Sequence, residues 1–187
     1  MSRLLAVDLA KSYRLLNHGP TVLVSSAAGE RSNVMAAAWA MPLDFDPPKV
    51  AVVIDKATHT RELIEASGEF VLNLPCRAQA AAVLRAGGAD GRQVDKFAHS
   101  GLSRIQAQEV AAPRVDGCIA YLECKVISEP LNQQRYDLFI GEVVAAEADA
   151  EVFADGHWRF DDEAKRSLHY IAGGAFFAIG EAFEVGK

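Results

Sequence analysis

Two spacings of apolar residues alternate along the 187-residue chain. Short crowded runs of β-branched and other apolar residues fall at Thr21–Ser26, Ser32–Met41, Lys49–Asp55, Glu69–Leu74, Cys118–Ser128 and Tyr136–Ala148. Their length and composition predict strands, and Val50, Ala51, Val52, Val53 and Ile54 are apolar without interruption, as expected of a strand covered on both faces. Between these runs, apolar residues return at helical spacing. Asp8–Asn17 carries Leu9, Tyr13 and Leu16; Thr58–Ala66 carries Leu63 and Ile64 behind a Thr58 N-cap; Arg77–Arg85 is rich in alanine and leucine and is stopped by Gly87-Gly88.

Turn residues join the strands into hairpins. Ala28-Gly29-Glu30 links the first two runs, and Leu131–Arg135 links the last two. Pro42 and Pro47-Pro48 bracket a segment that cannot enter a central strand and is expected to be a loop. Residues 89–113 have no steady period and are expected to be mostly loop. Short β-like pieces follow at Val152–Phe160, and the chain closes on an aromatic, glycine-rich stretch, Tyr170–Phe183. The sum is one domain over residues 1–187, mainly β with short peripheral helices. Consecutive hairpins with helical insertions predict a small antiparallel, Greek-key-like barrel.

Charge narrows the partners. The formal net charge of −6 argues against nucleic acid and against an anionic membrane surface. No apolar run has the length of a membrane span, and the first residues turn polar too early for a secretory core, so a cytoplasmic protein is expected. Cys76, Cys118 and Cys124 are an odd number, and Cys118 and Cys124 would lie roughly 20 Å apart on one strand, beyond disulfide reach. Buried thiols are expected, and no metal-ligand spacing is present.

Two stretches carry candidate chemistry. Asp55-Lys56-Ala57-Thr58-His59-Thr60-Arg61 is the densest cluster of donors, set between a buried strand and the start of a helix. Free N–H groups and the positive dipole end there suit a phosphate, with Thr58 and Thr60 hydroxyls, Lys56 and Arg61 as further donors and His59 inside the cluster. An N-capped helix with solvated charges would have the same sequence. The second stretch is Ser32-Asn33-Val34-Met35-Ala36-Ala37-Ala38-Trp39-Ala40, whose consecutive alanines leave a bare backbone against which a flat ring can lie. An alanine-rich strand under a large neighbour would look the same. Trp39 and Phe45 are aromatic residues able to border such a ring. No strand opens into GxGxxG, and nothing resembles a nucleophile with its base, so no catalytic side chain is assigned.

The order Asn33-Val34-Met35, Trp39, Pro42-Leu43, Phe45, Pro47-Pro48 and Thr58-His59-Thr60 resembles the N-terminal signature of the flavin reductase-like proteins. Gly68 to Pro75, Asp95-Lys96-Phe97, Gly101-Leu102, Ala112-Pro113, Leu122 to Val126 and Leu138 to Val144 continue the resemblance, which spans about residues 12 to 180. It implies an FMN-binding split β-barrel, a homodimer, NADH or NADPH as electron donor, and electron transfer to an acceptor or to a partner monooxygenase. By position, Asn33, Met35, Ala36, Ala37, Ala38 and Trp39 would line the flavin ring. Asp55, Lys56, Thr58, His59, Thr60 and Arg61 would hold the ribityl chain and phosphate, and Lys96 and Phe97 would approach the ring from a loop. Tyr136, His169 and Tyr170 would face the nicotinamide.

The sequence departs from the family at one point. Reductases of the family often carry Gly-Asp-His before the segment matching Leu138–Gly141, whereas this chain reads Gln134-Arg135-Tyr136-Asp137. Tyrosine stacks and donates a hydrogen bond but does not exchange protons near neutrality. The departure motivates a flavoredoxin-like carrier with little intrinsic NAD(P)H activity as the alternative. A split barrel binding haem or F420 is a third reading.

Overall fold

A computed structural model describes residues 4–15 and 19–186, without the side chains of residues 13–15. Strand β1 (Leu4–Ala6) leads into a 3-10 helix, Leu9–Leu15, where the amphipathic stretch from Asp8 was expected. The end of that expected helix, with Leu16, lies outside the described residues. Then come β2 (Val22–Ala28), β3 (Arg31–Ala37), β4 (Ala40–Phe45), β5 (Pro48–Val53), α1 (His59–Ser67) and β6 (Glu69–Leu74). A 3-10 turn, Arg77–Gln79, opens α2 (Ala80–Gly88), followed by α3 (Lys96–Ser100), β7 (Arg104–Ile105), β8 (Arg114–Val115) and β9 (Ala120–Ile127). The chain continues through α4 (Pro130–Tyr136), β10 (Leu138–Asp149), β11 (Phe153–Ala154), β12 (His157–Trp158), β13 (Leu168–Ala172) and β14 (Ala175–Ala178).

The main sheet has eight strands in the order β3-β2-β6-β9-β10-β5-β4, with β1 added to β10. Its strand pairs are all antiparallel. The period-2 pattern sorts its side chains into two cores. Val22, Val24, Val50, Val52, Phe70, Leu72, Leu122 and Phe139 fill one cluster inside the curved sheet. Their neighbours Leu23, Val71 and Tyr121 face the other way, into a second cluster closed by Val83 of α2 and Phe97 of α3. Because both faces are covered, β2 is buried almost throughout. Gly141 permits a close contact within the sheet: a Cβ there would lie 2.6 Å from the Phe70 ring.

Four expectations are corrected. The run Ser32–Met41 is two strands, broken at Ala38-Trp39, because β3 pairs with β2 while β4 crosses to pair with β5. The segment from Pro42 is not a loop: β4 stands at the end of the sheet, where Pro42 needs no outer ladder partner and a bulge between Pro42 and Asp44 takes up the irregularity. The connection Leu131–Arg135 is helical, started by Pro130 at the first turn and ended by Asp137 at φ 56°. Tyr136 therefore closes α4 instead of opening β10. Finally, Lys96 and Phe97 sit on a short helix, α3, capped by the Asp95 carboxylate, which accepts from the Phe97 and Ala98 N–H groups. The rest of the 89–113 stretch is tied down by buried Glu123, which accepts from Arg114 and from the N–H groups of Gln108 and Glu109. The three cysteines are free and buried, and burial pushes the Cys76, Cys118 and Cys124 thiols up.

Candidate functional site

Strand β3 and the end of α2 border two adjoining hollows that share Met35, Ala36, Gly87 and Gly88. The larger is a cleft of about 660 Å³ running along Met35, Ala36, Ala37, Ala38 and Trp39. Val83 and Leu84 of α2 also line it, together with Asp55, Tyr136, Asp137, Tyr170 and Phe176. The small side chains of β3 open this space, and Gly87 adds to it: a Cβ there would touch the Ala36 methyl at 3.6 Å. Tyr170 and Phe176 come from the β13–β14 hairpin and meet edge to face, with centroids 5.4 Å apart.

The smaller hollow, about 260 Å³, is polar. It is lined by Asn33, the start of α1 from Ala57 to Thr60, the segment from Gly87 to Arg92, and Lys96. Thr58 caps α1, its hydroxyl accepting from the Arg61 N–H at 3.3 Å and donating to the Asp55 carbonyl at 2.8 Å. The N–H groups of His59 and Thr60 belong to the first turn and have no intrahelical acceptor. Asn33 donates through Nδ2 to the Thr60 hydroxyl at 2.9 Å, pinning β3 to α1. Gly91 packs on that carboxamide, since a Cβ would lie 2.7 Å from the Asn33 Cγ. Arg92 closes one side. It bonds the Glu62 carboxylate through Nε at 3.0 Å and the Ala57 carbonyl at 2.9 Å. Its hydrogen bond, followed by that of His59, holds the Glu62 carboxyl below its usual range.

Lys96 is the unusual member. It is only 5% exposed, yet it makes no hydrogen bond or ion pair within the described residues. Burial pulls its pKa down, with Asp90 opposing. A largely buried lysine without an ion pair is costly to keep charged, and the pocket it lines is where an anion would relieve that cost.

The structure gathers Asn33, Met35, Ala36, Thr58, His59, Thr60 and Lys96 in the polar pocket, and Met35 to Trp39, Asp55, Tyr136 and Tyr170 around the cleft. Lys96 thus lines the smaller hollow and not the cleft. Four expected residues line neither: Lys56, Arg61, Phe97 and His169. Arg61 is engaged by α4 and its cap. Its guanidinium pairs with Asp137, bonds Glu65 at 2.7 Å and donates to the Gln133 carbonyl at 2.8 Å. Burial works against its charge, but Glu65 and Asp137 hold it above the usual arginine range. Phe97 is fully buried beneath Arg104, whose guanidinium lies 4.1 Å from the ring centroid.

Sequence reasoning missed Arg92, Gly91 and the pair Val83-Leu84. Gly87-Gly88 reads in the sequence as a helix stop, and the structure sets Gly87 against Ala36 of the alanine-rich strand. A lone arginine in an aperiodic stretch gives no signal.

Comparison with known proteins places this geometry. Residues 14–172 match the model of the flavin reductase like domain. The uncharacterized protein YddH of Escherichia coli (strain K12) is 42% identical over 189 residues, covering 100% of both chains. The FMN-binding domain of a flavin reductases-like enzyme from Shewanella baltica OS155 superposes with a TM-score of 0.96 at 52% identity, over 99% of this chain and 98% of that one. The flavoredoxin of Desulfovibrio vulgaris (Miyazaki F) superposes with a TM-score of 0.78 at 30% identity, over 89% and 90%. The antiparallel sheet is accordingly a split barrel, and the chain belongs to the flavin reductase-like family.

Proposed function

We propose that the protein binds one FMN across the two hollows and acts as an FMN-dependent oxidoreductase with NADH or NADPH as donor. The observation that carries this reading is Lys96, a largely buried lysine with no ion pair among the described residues, which lines the same hollow as the first turn of α1, beside an alanine-walled cleft. The residues fit the group. Lys96, the His59 and Thr60 N–H groups and the Thr60 hydroxyl, which accepts from Asn33 and keeps its own proton, offer charge and donors to a phosphate. Asn33 and Thr60 fix the spacing between pocket and strand. The backbone of Met35 to Trp39 presents N–H and C=O groups to the ring edge. Bound flavin supplies two-electron redox chemistry; the chain contributes position and electrostatics. The final acceptor would be a partner monooxygenase or a small molecule.

A homodimer belongs to this reading. Trp39, Met41, Leu43 and Phe45 stand exposed on and beside the edge strand β4, Trp39 at 74% and Phe45 at 61%. An edge strand with such a stripe is a pairing surface. No helix of the described residues is long and apolar enough to cross a membrane.

The test is an anaerobic absorbance record of the FMN-loaded protein before and after NADH, then NADPH. Bleaching within seconds supports the reductase and names its donor. A bound flavin that stays oxidised favours the flavoredoxin-like carrier instead, the reading motivated by Tyr136, which lines the cleft where reductases of the family often carry histidine. Failure to bind FMN at all rejects both.

A further inference from the structure

The two hollows have opposite electrostatic character. The polar pocket holds Lys96 with Arg92 and Asp90, and Arg92 is already paired with Asp90 and Glu62, which leaves Lys96 as its cation without an ion pair among the described residues. The cleft beside it has no lysine, arginine or histidine in its lining, and its charged residues are Asp55 and Asp137. Asp137 is compensated by Arg61. Asp55 has no ion pair among the described residues; its Oδ1 accepts from the Ala57 N–H at 2.7 Å, and the side chain is exposed. The same cleft is lined by aromatic residues. Tyr136 and Tyr170 are 59% and 44% exposed, and Phe176 is held against Tyr170.

On the reading that flavin lies along β3, this aromatic wall serves the ring that stacks on the flavin, first the uncharged dihydronicotinamide and then, once it has left, the acceptor. We propose that it forms a subsite for a flat, uncharged aromatic electron acceptor, and that Asp55 determines specificity by repelling anionic ones. Aromatic faces at the cleft mouth stack on flat rings. An uncompensated carboxylate in a half-open cleft acts on a ligand charge through a dielectric between protein and water, so its effect is moderate and salt-dependent. Anions are thereby sorted: phosphate goes to the Lys96 pocket, and neutral rings go to the cleft.

The probes are naphthalenesulfonamide and naphthalenesulfonate, which share size and ring and differ by one charge. Calorimetric titration of the FMN-loaded protein should show the sulfonamide binding about five-fold tighter. In Asp55→Asn, which keeps an acceptor for the Ala57 N–H, the ratio should shrink toward one, and added salt should shrink it in the wild type. Tyr170→Ala should weaken both probes. Equal affinities, a tighter sulfonate, or a ratio unchanged in Asp55→Asn would overturn the proposal. Flavin occupancy is read first from its absorbance. Protein that takes no FMN rejects the proposed function, and the charge preference is then read on the flavin-free chain with the same two probes. Full occupancy without charge preference rejects this inference alone.

Discussion

A single lysine carries the cofactor reading. Replacing Lys96 with methionine keeps the aliphatic stem and removes the charge. Loss of a charge-assisted hydrogen bond predicts FMN binding weaker by about 10- to 100-fold. The same change should leave the flavin-free protein as stable or more stable at neutral pH, because it removes a buried, unpaired ammonium. Flavin titration and chemical denaturation check the two halves. A uniform loss of both would mean that Lys96 only supports the fold. The pH dependence has a definite sign. The folded pKa of Lys96 lies below the unfolded one, so between the two values the unfolded chain binds more protons and the flavin-free fold gains stability as pH rises. FMN affinity falls across the same rise, as the ammonium is lost. Arg61 gives the contrast. Arg61→Ala breaks its pairs with Asp137 and Glu65 and should cost about 2 to 4 kcal/mol of stability, since the side chain is 8% exposed. Its folded fraction should bind FMN nearly as well as the wild type.

At the scale of elements, Gly91 couples the loop after α2 to β3. Alanine there would press on the Asn33 carboxamide, which holds the Thr60 hydroxyl. Gly91→Ala should therefore weaken FMN binding with little loss of thermal stability, as flavin titration and a melting curve would show. The central elements were legible in the sequence because apolar runs report burial directly. β2, β5, β6, β9 and β10 fall within a few residues of the runs that predict them, and α1 starts at its Thr58 cap. What escaped was decided by tertiary pairing. The chain's turn at Trp39 and the strand character of Pro42 depend on β5 lying beside β4. α3 and α4 are five and seven residues long, too short to show a period. The same limit governs the site. The donor cluster and the alanine strand could be read locally, but which face of α1 each side chain takes could not, so Arg61 was expected at the phosphate while Arg92 went unseen.

For the whole molecule, the exposed stripe at β4 argues for a second copy. Phe45→Glu should convert a dimer to a monomer by sedimentation analysis, and an unchanged mass would move the interface elsewhere. Two cores, one inside the barrel and one beneath α2 and α3, position β3 and α1 so that the hollows meet at Met35, Ala36, Gly87 and Gly88. That junction makes a single ligand with a flat head and an anionic tail the natural occupant. The most direct measurement is a paired equilibrium titration of the flavin-free protein with FMN and with riboflavin, which lacks only the phosphate. FMN should bind about 100-fold tighter, with most of that advantage gone in Lys96→Met. Equal affinity for the two flavins would contradict the assignment of the polar pocket to the phosphate.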